Sequence, residues 1–283
     1  ENYTSTDTWT PGLYDYQTAG ANTLFFTFID PTDMAVPPAF ATLAQSRGSG
    51  APGAVEADTT VIFSVGGYSY SMSPNPWPFL ATPEAAKAMA QEVATWPEKY
   101  GCDGIDMDIE SGAGDASGVG SNVVVFMQAL REANPDMIIT QPVFGYPQVA
   151  AENAATNAAC DADGSFNGLI DSVGIMVYEG TQALDYVKNY AEATDQWDGF
   201  PITCDIPSTG VIVGMGGNAA ESDILSMADS VKAGDLGGIM VWYASVIDAD
   251  KQDVAFQYGP TDDATESKDT TGGDWAEALT RME

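Results

Sequence analysis

The sequence predicts an α/β fold, a (β/α)8 barrel of one domain whose first strand is short or trimmed, and three observations point that way. Short apolar, β-branched runs recur along the chain, helical patterns lie between them, and Gly, Pro, Asp or Asn bounds each run. Strict alternation of apolar strands with helices is the pattern of a parallel sheet with helix-covered faces. The length of 283 residues is close to the usual ~250 of a single barrel.

The expected strands are residues 22–29 (NTLFFTFI), 60–67 (TVIFSVGG), 103–110 (DGIDMDIE), 137–144 (MIITQPVF), 172–179 (SVGIMVYE), 201–206 (PITCDI) and 236–243 (LGGIMVWY). Helical patterns cover 83–99, 119–132, 182–194 and 219–232, with a first helical segment at 11–19. Seven strands is one short of closure, and only residues 1–4 remain to supply the eighth. A doubly wound open sheet is the runner-up, although no Gly-x-Gly-x-x-Gly follows the first strand. Residues 248–271 read as a solvated, acidic loop, with a short amphipathic helix at 274–282.

Composition bounds the partners and the chemistry. With 41 acidic and 9 basic side chains the formal charge is −32, which argues against nucleic acid and anionic membranes. Such self-repulsion favours a soluble monomer and suits saline surroundings. No run approaches the ~20 apolar residues of a membrane span, and the start lacks a basic-then-apolar leader, as in a chain already processed. There is no histidine, so Ser-His-Asp triads, Cys-His pairs and histidine general bases are excluded. Acid-base chemistry falls to carboxylates, tyrosine, lysine or cysteine. Cys102, Cys160 and Cys204 allow one disulfide in three pairings; Cys102 sits in an apolar-flanked segment, which favours Cys160 with Cys204. Asn2-Tyr3-Thr4 is a glycosylation sequon of low specificity.

The most informative stretch is 103–110. Side chains alternate along a strand, so Asp106, Asp108 and Glu110 share one face and Ile105, Met107 and Ile109 the other. Neighbouring acids on that face stand ~6–7 Å apart, close enough to raise one another's pKa. A strand that gives three inward positions to acids loses packing, and in a parallel α/β protein function collects at strand carboxyl ends, where Glu110 lies. Glu110 is thus placed as a general acid, kept protonated in part by Asp108. Holding Ca or Mg is the alternative use of the cluster; wholesale pairing with nine basic residues is not. Asp103 has the opposite parity and reads as structural.

Asp103, Asp106, Asp108 and Glu110 form D-x-x-D-x-D-x-E, which resembles the signature of glycoside hydrolase family 18, the chitinase family. Three further motifs agree in order and spacing. Residues 64–67 (SVGG) resemble the S-x-G-G ending the third barrel strand, 176–178 (MVY) the M-x-Y of the sixth, and 238–242 (GIMVW) the G-x-M-x-W of the eighth. The resemblance spans 22–248, and the seven expected strands then number two to eight of the barrel.

The resemblance implies a substrate-assisted, retaining hydrolase of N-acetylglucosamine polymers, in which the substrate's acetamide oxygen replaces an enzyme nucleophile. Glu110 would protonate the glycosidic oxygen and later activate water. Asp108 would orient the acetamide, with Asp106 tuning it from below. Tyr178 would donate to the acetamide oxygen, and Trp242 would floor the sugar at the cleavage site. Met176, like Tyr178, shares strand parity with barrel packing. Gln141, polar inside an apolar strand, reads equally as a sugar contact or a core hydrogen bond. Phe144, Tyr146, Trp77 and Trp197 are candidates for the rest of a cleft, and Gly66 and Gly67 for close backbone approach. Glu179 departs from the family, where Asp or Asn is commoner. No cofactor and no metal are expected. A lectin-like or structural barrel and an endo-β-N-acetylglucosaminidase of N-glycans are the competing functions. A polymeric substrate implies a secreted, extracellular enzyme.

Overall fold

The computed structural model describes residues 21–51, 54–72, 76–110, 119–146, 149–192, 202–216, 219–242, 245–246 and 256–257. The apolar runs form seven parallel strands: β1 (Thr23–Ile29), β2 (Thr60–Gly66), β3 (Gly104–Asp108), β4 (Ile138–Val143), β5 (Ser172–Ile175), β6 (Val211–Gly216) and β7 (Gly238–Trp242). Each pairs with the next in chain order. The sheet is rolled, since the Phe28 ring of β1 lies 5.4 Å from the Trp242 ring of β7 across its two edges. This is the curled sheet of a (β/α)8 barrel. The expected first strand and first helix lie outside the described residues, as does the helix expected at 274–282.

The outer face carries Val61, Phe63, Val65, Ile105, Met107, Ile139, Val173, Ile175, Val211, Val213 and Met215, all buried under the helices. Those helices are α1 (Pro38–Gln45), α2 (Tyr68–Ser71), α3 (Pro83–Val93), α4 (Trp96–Tyr100), α5 (Val119–Ala133), α6 (Ala150–Ala158), α7 (Val187–Ala191) and α8 (Glu221–Ala233). Phe63 shows the layering: its ring packs 5.7 Å from Phe40 of α1 and 6.2 Å from Trp96 of α4. At ~25 cal/mol per Å² of apolar surface removed from water, such rings supply most of the driving force. The helix expected over 83–99 is broken between α3 and α4. Pro83 opens the first behind a Thr82 cap that accepts the Ala85 N–H, and Pro97, with no N–H of its own, stands in the first turn of the second.

The strand expected at 201–206 is a correction. Ile202, Cys204 and Ile206 do alternate and are buried, but among the described residues their backbone bonds go to helices: Thr203 N–H to Asn157 Oδ1 of α6 and Ile206 N–H to Tyr190 O of α7. Cys204 is joined to Cys160 by a disulfide, as the sequence favoured. The sheet position passes to 211–216 (VIVGMG), whose glycines disguise it as a loop. Gly214 is required there, because a Cβ would stand 2.4 Å from the Ile175 carbonyl. A second difference lies inside the expected tail loop, where Phe256–Gln257 pairs antiparallel with Ser245–Val246.

Two aspartates bracket strand starts at the end of the sheet away from the site. Asp103 Oδ2 accepts the Val61 N–H at 2.8 Å and ion-pairs with Arg47; Asp171 Oδ2 accepts the Ile139 N–H at 2.8 Å and Arg131 Nη2 at 2.8 Å. Asp103, though part of the acidic motif, is therefore a structural brace. We expect Asp103→Ala to cost about 2 kcal/mol, from one lost charged hydrogen bond and an orphaned N–H, read by urea unfolding. A change below about 0.5 kcal/mol would show that the brace is replaceable by water.

Candidate active site

The strand register decides what faces inward. Ile62, Ser64 and Gly66 of β2 stand opposite Gly104, Asp106 and Asp108 of β3, and Asp106 stands opposite Thr140 of β4. The inner surface is thus built from small and polar side chains around two acids. Asp106 is buried and accepts hydrogen bonds from Ser64 Oγ and Thr140 Oγ1, each at 2.6 Å. Burial nonetheless raises its pKa to about 6, against the lowering effect of those hydroxyls. Asp108 is equally buried, and its Oδ1 has no hydrogen-bond partner among the described residues. Burial pushes its carboxyl well up, and the charges of Glu110, Asp106 and Glu152 push it further.

Glu110 lies two residues past the end of β3, partly exposed where the inner acids are not. Its N–H donates to Ser71 Oγ at 3.0 Å, and its carboxylate accepts the Tyr68 N–H, so the α2 segment holds it at both ends. Burial raises its pKa, while the Tyr68 bond pulls the other way. The site therefore presents two buried acids and one accessible acid in a row, all holding protons more tightly than a free carboxyl. Such a row can deliver a proton outward through Glu110 and accept an amide N–H at Asp108.

Close backbone approach makes this possible. The Gly67 N–H donates to the Asp108 carbonyl at 2.9 Å, and a Cβ on Gly66, whose φ is +109°, would stand 2.2 Å from that carbonyl and 2.5 Å from the Trp77 ring. Trp77 is buried against the backbone here and is core, a correction to its expected place in a cleft.

Tyr178 faces the acids. Burial raises its hydroxyl pKa, and Asp108, Glu110 and Asp106 add to the effect, so it stays a neutral donor. It lies beyond β5, which ends at Ile175 because the Val177 N–H turns back to the Ile175 carbonyl at 2.9 Å. The Trp242 ring at the end of β7 sits 6.5 Å from Tyr178 and is 37% exposed, open enough for a ligand face. Met176 is partly buried beside them in sequence. Gln141 does not join the cluster. Its parity sets it with Ile139 and Val143 on the helix side, where Nε2 donates to the Glu152 carbonyl at 3.0 Å. Phe144 packs partly against the core, and its carbonyl accepts the Tyr190 hydroxyl. Tyr146 is 43% exposed on the rim. Glu179 is exposed and accepts from Gln182 Nε2 at 3.3 Å. Trp197 lies outside the described residues. Sequence reasoning missed Thr140, Tyr68, Ser71 and Glu152; only Thr140 carried a signal, a hydroxyl at inward parity on the strand next to the acids.

Among the described residues no group of three or more Cys, Asp or Glu is arranged to hold a metal, and no helix is long and apolar enough to cross a membrane. The family model for glycosyl hydrolases family 18 matches residues 4–205. The chain belongs to family 18. No curated protein matches the sequence. Among solved structures, the family 18 chain is similar to a chitinase from Rhizomucor miehei at 15% identity and TM-score 0.60, covering 91% of this chain and 93% of that one. It is similar to the catalytic domain of a chitinase from the fern Peteris ryukyuensis at 21% identity and TM-score 0.55, covering 93% and 92%. A Cycas revoluta chitinase in complex with (GlcNAc)3 is similar at 13% identity and TM-score 0.52, covering 78% and 87%. These likenesses establish the barrel.

The acid row makes a pH prediction for this family 18 chain. The Asp106 pKa in the fold is raised from 3.8 to about 6, so the stability this group contributes is complete below about pH 4 and is lost as pH rises through about 6. Asp106→Asn removes that loss. Relative to the native chain, the variant should gain on the order of 3 kcal/mol between pH 4 and pH 7, measured by urea unfolding across pH. A difference that stays flat over that range would mean Asp106 does not titrate there.

Proposed function

We propose that this family 18 chain is a chitinase: it hydrolyses β-1,4 linkages of N-acetylglucosamine polymers with retention, by substrate-assisted catalysis. The observation that carries the reading is the row of Asp106, Asp108 and Glu110, graded from buried to accessible at the carboxyl end of β3 and faced by Tyr178. Glu110, the accessible acid with a raised pKa, protonates the leaving glycosidic oxygen. Asp108, buried and without a partner at Oδ1, accepts the acetamide N–H. That bond turns the acetamide oxygen onto the anomeric carbon, and Asp108 then stabilises the positive charge of the oxazolinium-like intermediate. Asp106, held by Ser64 and Thr140, fixes Asp108 from below. Tyr178 donates to the acetamide oxygen, and the Trp242 ring lies under the sugar. Glu110, now ionised, takes a proton from the water that opens the intermediate.

The net charge of −32 favours a neutral polymer over polyanionic glycans. The same charge supports a monomer that avoids nucleic acid and anionic membranes. A disulfide between Cys160 and Cys204 fits an oxidising compartment and hence a secreted enzyme. The test is release of a fluorophore from N-acetyl-chitooligosaccharide glycosides across pH and salt. Turnover supports the reading, whereas oligosaccharide binding without turnover by the native chain would leave a lectin-like barrel in its place.

A further inference from the structure

We propose that Tyr146 and Tyr186 form a separate sugar-stacking subsite, which takes the apolar face of a neutral pyranose unit beyond the two that flank the bond that is cut. This rests on the chitinase reading and deepens it. The large apolar side chains exposed among the described residues are Tyr68, Met72, Tyr146 and Trp242, and all four lie at or just past strand carboxyl ends. Apolar surface is thus left open at the mouth that holds the acids.

Tyr146 is not simply a loop residue left in water. Its ring meets the Tyr186 ring edge-on, with centroids 4.7 Å apart and planes at 76°, and the Tyr186 hydroxyl donates to the Tyr146 hydroxyl at 3.1 Å. The loop beneath is built to allow this. A Cβ on Gly145 would stand 2.9 Å from both the Tyr186 ring and Val177, so only glycine lets the three segments close. The Gly145 carbonyl accepts Asn189 Nδ2 at 2.8 Å, and the preceding Phe144 carbonyl accepts the Tyr190 hydroxyl. One ring is thereby presented at 43% exposure on a fixed base. A preordered aromatic face loses little conformational entropy on binding.

Its position matches a polymer. Val177, against Gly145, adjoins Tyr178, and Tyr178 lies 6.5 Å from Trp242. Aromatic rings therefore run across the face from β7, past the end of β5, to the end of β4. The net charge of −32 disfavours an anionic ligand, and an open tyrosine ring offers the apolar surface that the face of a neutral sugar ring covers.

The experiment measures kcat/KM on N-acetylglucosamine oligomers of two to six units for native, Tyr146→Ala and Tyr146→Phe chains, together with calorimetric binding of the six-unit oligomer to Glu110→Gln with and without Tyr146→Ala. The expected result is a loss of about tenfold for Tyr146→Ala on the longest oligomer relative to the shortest one cut, about 1.4 kcal/mol by conversion. Tyr146→Phe should restore it, which a folding defect would not. An equal loss at every length, or no loss, overturns the subsite. Should the native chain not turn over, weaker binding of the six-unit oligomer in the Tyr146→Ala background would keep the subsite while the hydrolase reading fails.

Discussion

On the proposed chitinase activity, Glu110→Gln is expected to lower kcat on chitooligosaccharides by about 10³-fold or more, the size of a lost general acid, while binding of the same oligomers stays within a few-fold. Geometry sets both halves of that expectation. Asp106 and Asp108 are buried, so neither reaches the leaving oxygen in place of Glu110. Glutamine keeps the shape of the side chain, still accepts the Tyr68 N–H, and leaves the backbone bond from residue 110 to Ser71 Oγ intact. The charge of Glu110 is also one of the causes that raise the Asp108 pKa, so the variant should ionise Asp108 at lower pH. Single-turnover assays beside calorimetry separate the two effects. A variant that keeps a tenth of native turnover would move the acid's role to another residue.

Gly66→Ala is expected to damage the fold most among single-methyl additions, costing about 3 kcal/mol or more from strain at positive φ plus overpacking. Its added carbon would meet the Asp108 carbonyl at 2.2 Å and the Trp77 ring at 2.5 Å. Neither neighbour is the free end of a flexible side chain. Relief must come from separating β2 and β3, which moves Asp108 away from Tyr178, so activity should fall along with stability. Gly50→Ala is the control: nothing lies within 4 Å, and only its φ of +70° is strained. Urea unfolding of the two variants should differ by at least about 1–2 kcal/mol, the overpacking share of the cost. Equal losses would show that backbone conformation, and not the close approach, is what Gly66 supplies.

The carboxylate row was legible because a strand has a period of two, so parity alone put Asp106, Asp108 and Glu110 on one face and gave Asp103 a different job. The outer core was legible from the same period. The sixth strand was not. Residues 201–206 have the alternation of a strand yet bond to helices, whereas 211–216 hide theirs behind glycines that the crowding at Tyr178 and the Ile175 carbonyl demands. Gln141 stayed open between a sugar contact and a core hydrogen bond for a related reason: polarity inside an apolar strand marks a hydrogen bond without saying on which face it is made, and the bond to the Glu152 carbonyl is on the helix side. The hold of α2 on Glu110 was beyond reach, since it depends on how the chain turns after Gly67. Tyr186 was invisible as a partner because its meeting with Tyr146 joins residues 40 apart through a glycine's missing side chain.

In the proposed mechanism the substrate's acetamide, oriented by Asp108, serves as the nucleophile. Proton NMR of the first products from an N-acetylglucosamine oligomer tests it most directly, before the new reducing end equilibrates. The expected first product is the β-anomer, through two displacements at one carbon, with no cleavage of the matching glucose oligomer that lacks the acetamide. An α-anomer as first product, or comparable cleavage of the glucose oligomer, would contradict it.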